Sequence, residues 1–177
     1  MRILLAGLLA GLAMYVWSTI AHVATPLGTI GVQTLPDESV TVGNLASAIG
    51  ERGGLYLFPH TMGAGTSAAA EPGGFLVFNP HSPTSLQPKN LVIEFLTELV
   101  EALIAAWLLA QTALASYGAR VGFVTAVGVV GAIVTNVPYW NWYTFPTDYT
   151  LAYSFVEIMG FLVAGLVLAW MIGPKAA

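Results

Sequence analysis

Four stretches of this chain are apolar over enough residues to cross a lipid bilayer as α-helices. A helix needs about 20 apolar residues to span roughly 30 Å of hydrocarbon. With four such stretches, a chain of 177 residues has little length left for a water-soluble domain. We therefore expect an all-α integral membrane protein, a four-transmembrane-helix bundle that forms a single membrane domain over residues 1–177. The four stretches cover approximately residues 3–23, 91–115, 121–137 and 149–172.

Charged residues are too few for an ordinary water-facing surface. They make up 8% of the chain, whereas soluble domains carry about 25%. Five Lys and Arg against nine Asp and Glu leave no basic surface for phosphates, so we expect no nucleic-acid partner. The absence of cysteine excludes disulfides, Fe–S clusters, thiolate zinc sites and covalently attached haem. Any metal would have to use imidazole, carboxylate or carbonyl ligands.

The first apolar stretch has features of a cleaved signal peptide, since it follows Arg2 and has small residues near Ala21 and Ala24. Its apolar run of about 20 residues is nevertheless longer than the roughly 7–15 of a signal peptide. We expect it to be a retained helix.

The segment 24–90, between the first two stretches, contains seven of the ten prolines. Proline and glycine interrupt it too often for a fifth spanning helix. Two related runs within it, 53–60 and 73–81, place bulky apolar residues between glycines and a proline, a pattern that predicts a small β-hairpin. Residues 41–49 predict a short helix. The histidines that end the two runs, His60 and His81, would meet at a metal only if the strands were parallel.

Charge and aromatic residues predict the orientation. Basic residues at the N-terminus, the second connection and the C-terminus fall on one side of a four-helix topology, and most acids of the loops fall on the other. The positive-inside rule then places both termini in the cytoplasm and the long loop outside. Aromatic residues of the third connection, 138–148, predict a belt at the outer interface. The basic residues are Arg2, Arg120 and Lys175; the acids are Asp37, Glu38, Glu51, Glu71 and Asp148; the belt is Tyr139, Trp140, Trp142 and Tyr143.

Three parts of the chain, 17–28, 54–59 and 138–146, resemble a group of small bacterial inner-membrane proteins. The resemblance implies a multi-pass protein of the bacterial inner membrane with a periplasmic loop. It implies no activity.

Three glutamates recur on one face of the second apolar stretch. Glu94, Glu98 and Glu101 stand at i, i+4 and i+7, within roughly 60° of one another on a helix. Placing a carboxylate near the bilayer centre costs at least about 2.5 kcal/mol. Three glutamates on one face of the helix therefore favour an orientation towards the interior of the bundle, where protons, a cation or a partner would neutralise their charge. Glu101 lies about 15 Å below Leu91. In the alternative, Glu94, and even Glu98, lies in the hydrated headgroup region of the bilayer.

Two further groups belong to the same half of the bundle. Glu157 lies about 12 Å below Tyr149 on the fourth stretch, and His22 closes the first. Each has a plainer alternative: a protonated Glu157 that only joins helices through a hydrogen bond, and a solvated His22. If the second and fourth helices are neighbours, Glu98, Glu101 and Glu157 should face the interior within reach of one another or of one bridging water or ion.

Small residues predict where the helices approach closely. Gly7 and Gly11 form a Gly-x-x-x-Gly pair whose face leads towards His22. Further small residues are predicted at helix contacts: Gly118, Gly122, Gly128, Ala132, Gly160 and Ala164.

The acid and histidine cluster has two chemical interpretations. One is a Glu/His-ligated iron, manganese, zinc or copper ion, although the Glu-x-x-His pairing of di-iron bundles is absent. The other is a proton or cation relay. Little supports transport through the membrane, because the inner halves offer only Gln111, Thr112 and Thr125.

Two functions follow from these patterns. No phosphate loop, nucleophile elbow or metalloprotease motif is present in the sequence, which favours a non-enzymatic membrane protein that forms a homo-oligomer or serves as an accessory subunit of a larger assembly. The alternative is outer-side binding of a metal, cation or small ligand by His22, Glu94, Glu98, Glu101 and Glu157.

Overall fold

A computed structural model describes residues 1–59 and 72–174. Most of this part of the chain is helical, and one small two-stranded sheet lies in the segment between the first and second long helices. A π-helical turn, Ile20–Ala24, extends the first helix, and a short 3₁₀ turn, Pro26–Gly28, follows it. The elements are α1 (Arg2–Thr19), α2 (Glu38–Ile49), β1 (Gly54–Phe58), β2 (Gly74–Phe78), α3 (Pro88–Ala110), α4 (Tyr117–Tyr143) and α5 (Thr147–Met171).

Three of these helices are long and apolar enough to cross a membrane. They are Arg2–Ala24, which joins α1 to its π-helical turn, together with α4 and α5. The predicted second span coincides with α3, which has 23 residues but is more polar because it carries Lys89 and three glutamates. α3 ends at Ala110, five residues before the predicted end of that span.

The third predicted connection is shorter than expected. α4 continues through Pro138 to Tyr143, so only residues 144–146 separate it from α5. Thr144 ends the helix by adopting a left-handed conformation with φ of 56°. The predicted belt residues Tyr139, Trp140, Trp142 and Tyr143 therefore lie on the last turns of α4 rather than in a loop.

The helices pack in the order α3, α1, α5, α4. α1 contacts α3 on one side and α5 on the other, and α4 packs along α5. α3 and α4 share few contacts although the connection between them is short. The shared core is built from small and apolar side chains of α1, α3, α4 and α5: Ala6, Ala10, Met14, Ala102, Ala105, Ala106, Leu109, Val124, Phe161, Ala164, Leu168 and Ile172.

Glycines set two of the close helix approaches. A Cβ on Gly11 would lie 2.8 Å from the Cα of Leu99, and one on Gly7 would lie 2.6 Å from Leu103 Cδ2, so α1 and α3 meet backbone to backbone. Gly128 of α4 likewise faces the side chain of Phe161 on α5.

The other small residues predicted at helix contacts differ in burial and in the space around them. Gly160 is buried but has ordinary room, with Trp17 Cδ1 3.7 Å from the position of an added Cβ. Ala164 and Ala132 are buried. The prediction is wrong for Gly118 and Gly122, which are exposed and would bring an added Cβ within 4 Å of nothing.

The predicted hairpin is confirmed. β1 and β2 are antiparallel, with Tyr56 opposite Leu76. The ring of Phe75 lies 4.3 Å from that of Tyr143, which sets the hairpin against the end of α4. The predicted helix 41–49 is also present, as the longer α2.

The structure defines the surroundings of two charged residues used to predict the orientation, Arg120 and Glu51. Arg120 is buried instead of facing water, with 8% of its surface exposed. The imidazole of His81 lies 2.9 Å from the carboxylate of Glu51, and both side chains are exposed. His60, Glu71 and Lys175 lie outside the described residues.

Candidate functional site

One cavity, open on part of its surface and lying between α1, α3 and α5, brings together all five candidate ligand residues. Its volume is about 240 Å³, equivalent to about eight waters at roughly 30 Å³ each. It lies near the hairpin end of the bundle, since it is lined by the carboxyl half of α1, the amino half of α3 and the amino half of α5. We call it the acidic cavity. Its lining is Met14, Trp17, Ser18, His22, Glu94, Thr97, Glu98, Glu101, Tyr153, Val156, Glu157, Gly160 and Phe161.

α1 supplies the base of the cavity and its imidazole. The indole N–H of Trp17 donates to the carbonyl of Val156 at 2.9 Å, which fixes that ring between α1 and α5. His22 lies in the π-helical turn, and its Nδ1 is 2.9 Å from the carbonyl of Ser18. Because a carbonyl oxygen only accepts, Nδ1 carries the proton and Nε2 is left with a lone pair in the neutral ring.

α3 supplies three carboxyl groups that differ in how deeply they are buried. Glu94 is exposed, Glu101 is half-buried and Glu98 is buried, with 7% of its surface exposed. The helical spacing explains why all three line one cavity, because i, i+4 and i+7 share a face.

Glu98 carries an unsatisfied polar atom. Its Oε2 is buried and has no hydrogen-bond partner among residues 1–59 and 72–174. Buried polar atoms are hydrogen-bonded in the great majority of cases, and an unpaired buried carboxylate is costly. Glu98 also lines the acidic cavity, so a cation bound there would lie close to this carboxyl group and would be stabilised by it.

Glu157 joins α5 to α4. Its Oε2 accepts a hydrogen bond from the amide of Asn136 at 3.2 Å, and Asn136 also donates to the carbonyl of Ala132 at 3.1 Å. The other oxygen, Oε1, lies only 2.7 Å from where a Cβ on Gly131 would be. Glu157 therefore has a polar partner, as the helix-joining alternative requires, while it also lines the acidic cavity.

Asn136 was not identified from the sequence. It is the one asparagine of the third apolar stretch, 121–137, and the cost of burying an amide is much lower than that of burying a carboxylate. Its position near the end of that stretch, close to Pro138, drew no attention to it.

The cavity lining is acidic, with four carboxyls, one imidazole and no Lys or Arg. α3 and α5 face each other across it and share few direct contacts, so these two helices are neighbours chiefly through the cavity between them. α1 joins them at the base, and the shared space that was predicted for Glu98, Glu101 and Glu157 is this cavity.

The cluster does not form a metal site in this conformation. Within the described part of the chain, no three His, Asp or Glu side chains come close enough together to hold one metal ion. No protein-family model, curated protein or solved structure matches the chain. The chemistry of the acidic cavity must therefore be judged from the residues that line it.

Proposed function

We propose that the chain is a four-span integral membrane protein that binds a cation in the acidic cavity from the outer side of the membrane. The proposal places α3 in the bilayer beside the three more apolar helices. The support for α3 is its two-sided character, because Glu98 and Glu101 line the cavity while most of the exposed large side chains of the same helix are apolar. Those side chains are Leu91, Val92, Ile93, Leu96, Val100, Ile104 and Trp107.

The orientation is part of the same proposal. Both termini lie in the cytoplasm, and the hairpin lies outside, in the periplasm if the chain belongs to a bacterial inner membrane as its sequence resemblance implies. The cavity is near the hairpin end of the helices, so its ligand would arrive from the outer side. Nothing assigned to the cavity requires a chemical reaction, and we propose binding without catalysis.

The proposed function rests on the surroundings of Glu98. A buried carboxylate oxygen with no partner among the described residues lies in a lining that holds three more carboxyls and no basic side chain apart from His22. In a medium of low dielectric constant, a bound cation would offset much of the cost of burying this charge. A neutral or anionic ligand would leave it uncompensated.

A melting experiment in detergent tests the proposal. Purified protein is heated with sodium, potassium, magnesium, manganese, zinc or n-butylammonium chloride. At 100 times its dissociation constant, a ligand stabilises the folded state by about 2.7 kcal/mol. We expect at least one cation to raise the melting temperature of the wild type and to have no such effect on Glu98→Gln.

Glu38→Gln is the matched control, because Glu38 is an exposed acid of α2 that does not line the cavity. It should respond to the cation as the wild type does. If every cation shifts all three proteins equally, or shifts none, the proposed function is wrong.

Self-association, or membership of a larger membrane assembly, stays a prediction from the sequence. It is compatible with cation binding, since the acidic cavity lies between helices of one chain. Extraction in a mild detergent followed by sizing with light scattering tests it. A strictly monomeric particle that purifies without a partner would contradict it.

A further inference from the structure

Aromatic rings form an unbroken row from the hairpin to the acidic cavity. Neighbouring ring centroids along the row are 4.2–5.8 Å apart, within the range of favourable aromatic contacts. The last ring, Tyr153, stacks on Tyr149 at 4.2 Å and lies 5.8 Å from the imidazole of His22. In order from the hairpin, the aromatic row is Phe75, Tyr143, Tyr139, Phe145, Tyr149 and Tyr153.

Two further cavities follow this row. The first, beneath the hairpin, is lined by Phe75, Phe145 and Tyr149 among others. The second, of about 290 Å³, shares Phe145 and Tyr149 with the first, and Tyr153 with the acidic cavity. Tyr153 is thus the side chain common to the second cavity and the acidic cavity, and the three spaces adjoin one another in sequence.

The composition of the acidic cavity distinguishes between classes of cation. A transition-metal ion requires several ligands around one point, and no three metal-ligating side chains among the described residues meet that condition. The lining also contains a large apolar and aromatic part, including Met14, Trp17 and Phe161. A hydrated inorganic ion gains little from such surfaces, whereas an ammonium group with an alkyl portion gains from both carboxylates and rings.

The volume of the acidic cavity agrees with an ammonium ion that carries an alkyl portion. A space equivalent to about eight waters accommodates a cation of several non-hydrogen atoms. It is larger than one bare metal ion needs and small for a drug-sized ligand, which occupies about 300 Å³ or more.

We infer that the acidic cavity takes a small organic ammonium ion, which reaches it along the aromatic row past Tyr153. The inference rests on the proposed function and adds the chemical class of the ligand. Glu98 neutralises the ammonium charge, and the rings of Trp17 and Tyr153 pack against the ion and its alkyl portion.

Calorimetric titration of the full chain in detergent tests the inference. The probes are n-butylammonium chloride, 1-butanol as its uncharged counterpart of similar size, and zinc and manganese chlorides. We expect butylammonium alone to bind the wild type. Its affinity should fall about 3- to 30-fold in Tyr153→Leu, which removes a cation–π contact, and binding should be lost in Glu98→Gln.

Two variants separate the role of the ring from a general effect on folding. Tyr15→Leu makes the same kind of change on α1 at a tyrosine that does not line the cavity, and it should bind as the wild type does. Tyr153→Phe keeps a ring and should bind more tightly than Tyr153→Leu.

The outcomes separate the inference from the function on which it rests. If an inorganic cation binds in a Glu98-dependent way and butylammonium does not, the inference is overturned and the proposed function stands. If 1-butanol binds as well as butylammonium, or if Tyr153→Leu and Tyr15→Leu bind butylammonium equally, the inference is also overturned. If no cation binds, both are overturned.

Discussion

The amide of Asn136 on α4 donates a hydrogen bond to the Glu157 carboxylate on α5 at 3.2 Å. This contact links the α4–α5 pair to the acidic cavity, because Glu157 also lines that cavity. A polar group in α4, a helix that does not line the cavity, thereby positions one of its acids.

Asn136→Leu is expected to lower the free energy of unfolding by about 1 kcal/mol, because Glu157 loses its partner while it stays half-buried. Chemical denaturation in detergent measures the change. In the Glu157→Gln background the same substitution should cost less, since a bond to a neutral amide is weaker than one to a carboxylate. Equal costs in both backgrounds would show that the two side chains are not coupled.

Glu98→Gln is expected to stabilise the protein when no cation is present, by about 1 kcal/mol or more, because it removes a buried carboxyl group with one oxygen that has no hydrogen-bond partner among the described residues. The melting temperature in cation-free buffer measures this. Glu38→Gln, on the exposed surface of α2, should leave it within about 0.5 kcal/mol of the wild type. A Glu98→Gln variant less stable than the wild type would mean that a group in the protein already satisfies Glu98.

Gly11→Ala is expected to destabilise the protein by about 1–3 kcal/mol, the usual effect of overpacking, because the added Cβ would lie 2.8 Å from the backbone of Leu99. It should also weaken cation binding, since α1 and α3 both line the acidic cavity. Gly122→Ala is the control on α4, where the added methyl meets nothing within 4 Å and alanine has the better helix propensity. Equal stability of the two variants would contradict the close approach of α1 and α3.

Arg120→Met is expected to lower stability by about 2 kcal/mol or more. Its guanidinium donates to the carbonyls of Leu114, Ala115 and Ala169 at 3.3, 2.7 and 3.2 Å, and these three acceptors, of which that of Ala169 is buried, would lose their donor. Arg120→Lys should restore only part of the loss, because one ammonium group does not reproduce the planar fork. Arg52→Met, on an exposed residue, should have little effect, and a similar loss there would point to a general effect of charge.

Cysteine labelling tests the proposed orientation without background, because the chain has no cysteine. Ser47→Cys on α2 and Ala113→Cys between α3 and α4 both replace exposed residues. In intact spheroplasts, a membrane-impermeant maleimide should label Ser47→Cys, and it should label Ala113→Cys only after permeabilisation. The reverse pattern would invert the proposed topology.

The location of the candidate site could be anticipated because charged groups are costly in an apolar helix. Glu98, Glu101 and Glu157 had to turn away from lipid, and their depths along α3 and α5 place them at one level. The hairpin and α2 followed from local patterns of glycine, proline and apolar residues. Each of these signals can be read within one segment of the chain, without knowing how the segments pack together.

Features that depend on how segments meet could not be read in this way. Because α4 has apolar residues around its whole circumference, its sequence pattern does not distinguish the exposed Gly122 from Gly128, which faces Phe161. Arg120 was counted among the basic residues of the second connection, but it lies in the first turns of α4, where its side chain donates to backbone carbonyls. Pro138 marked the end of an apolar stretch, yet the helix continues through it.

The packing order has a consequence for how the acidic cavity changes width. α3 lies at one end of the packing order and is attached chiefly to α1, through contacts that include Gly7 and Gly11, whereas α1 and α5 each pack against two helices. A small rotation of α3 about the line through Gly7 and Gly11 would carry Glu94, Glu98 and Glu101 together, towards or away from Glu157. The distance from these three acids to Glu157 would therefore change in one movement at the contact between α1 and α3.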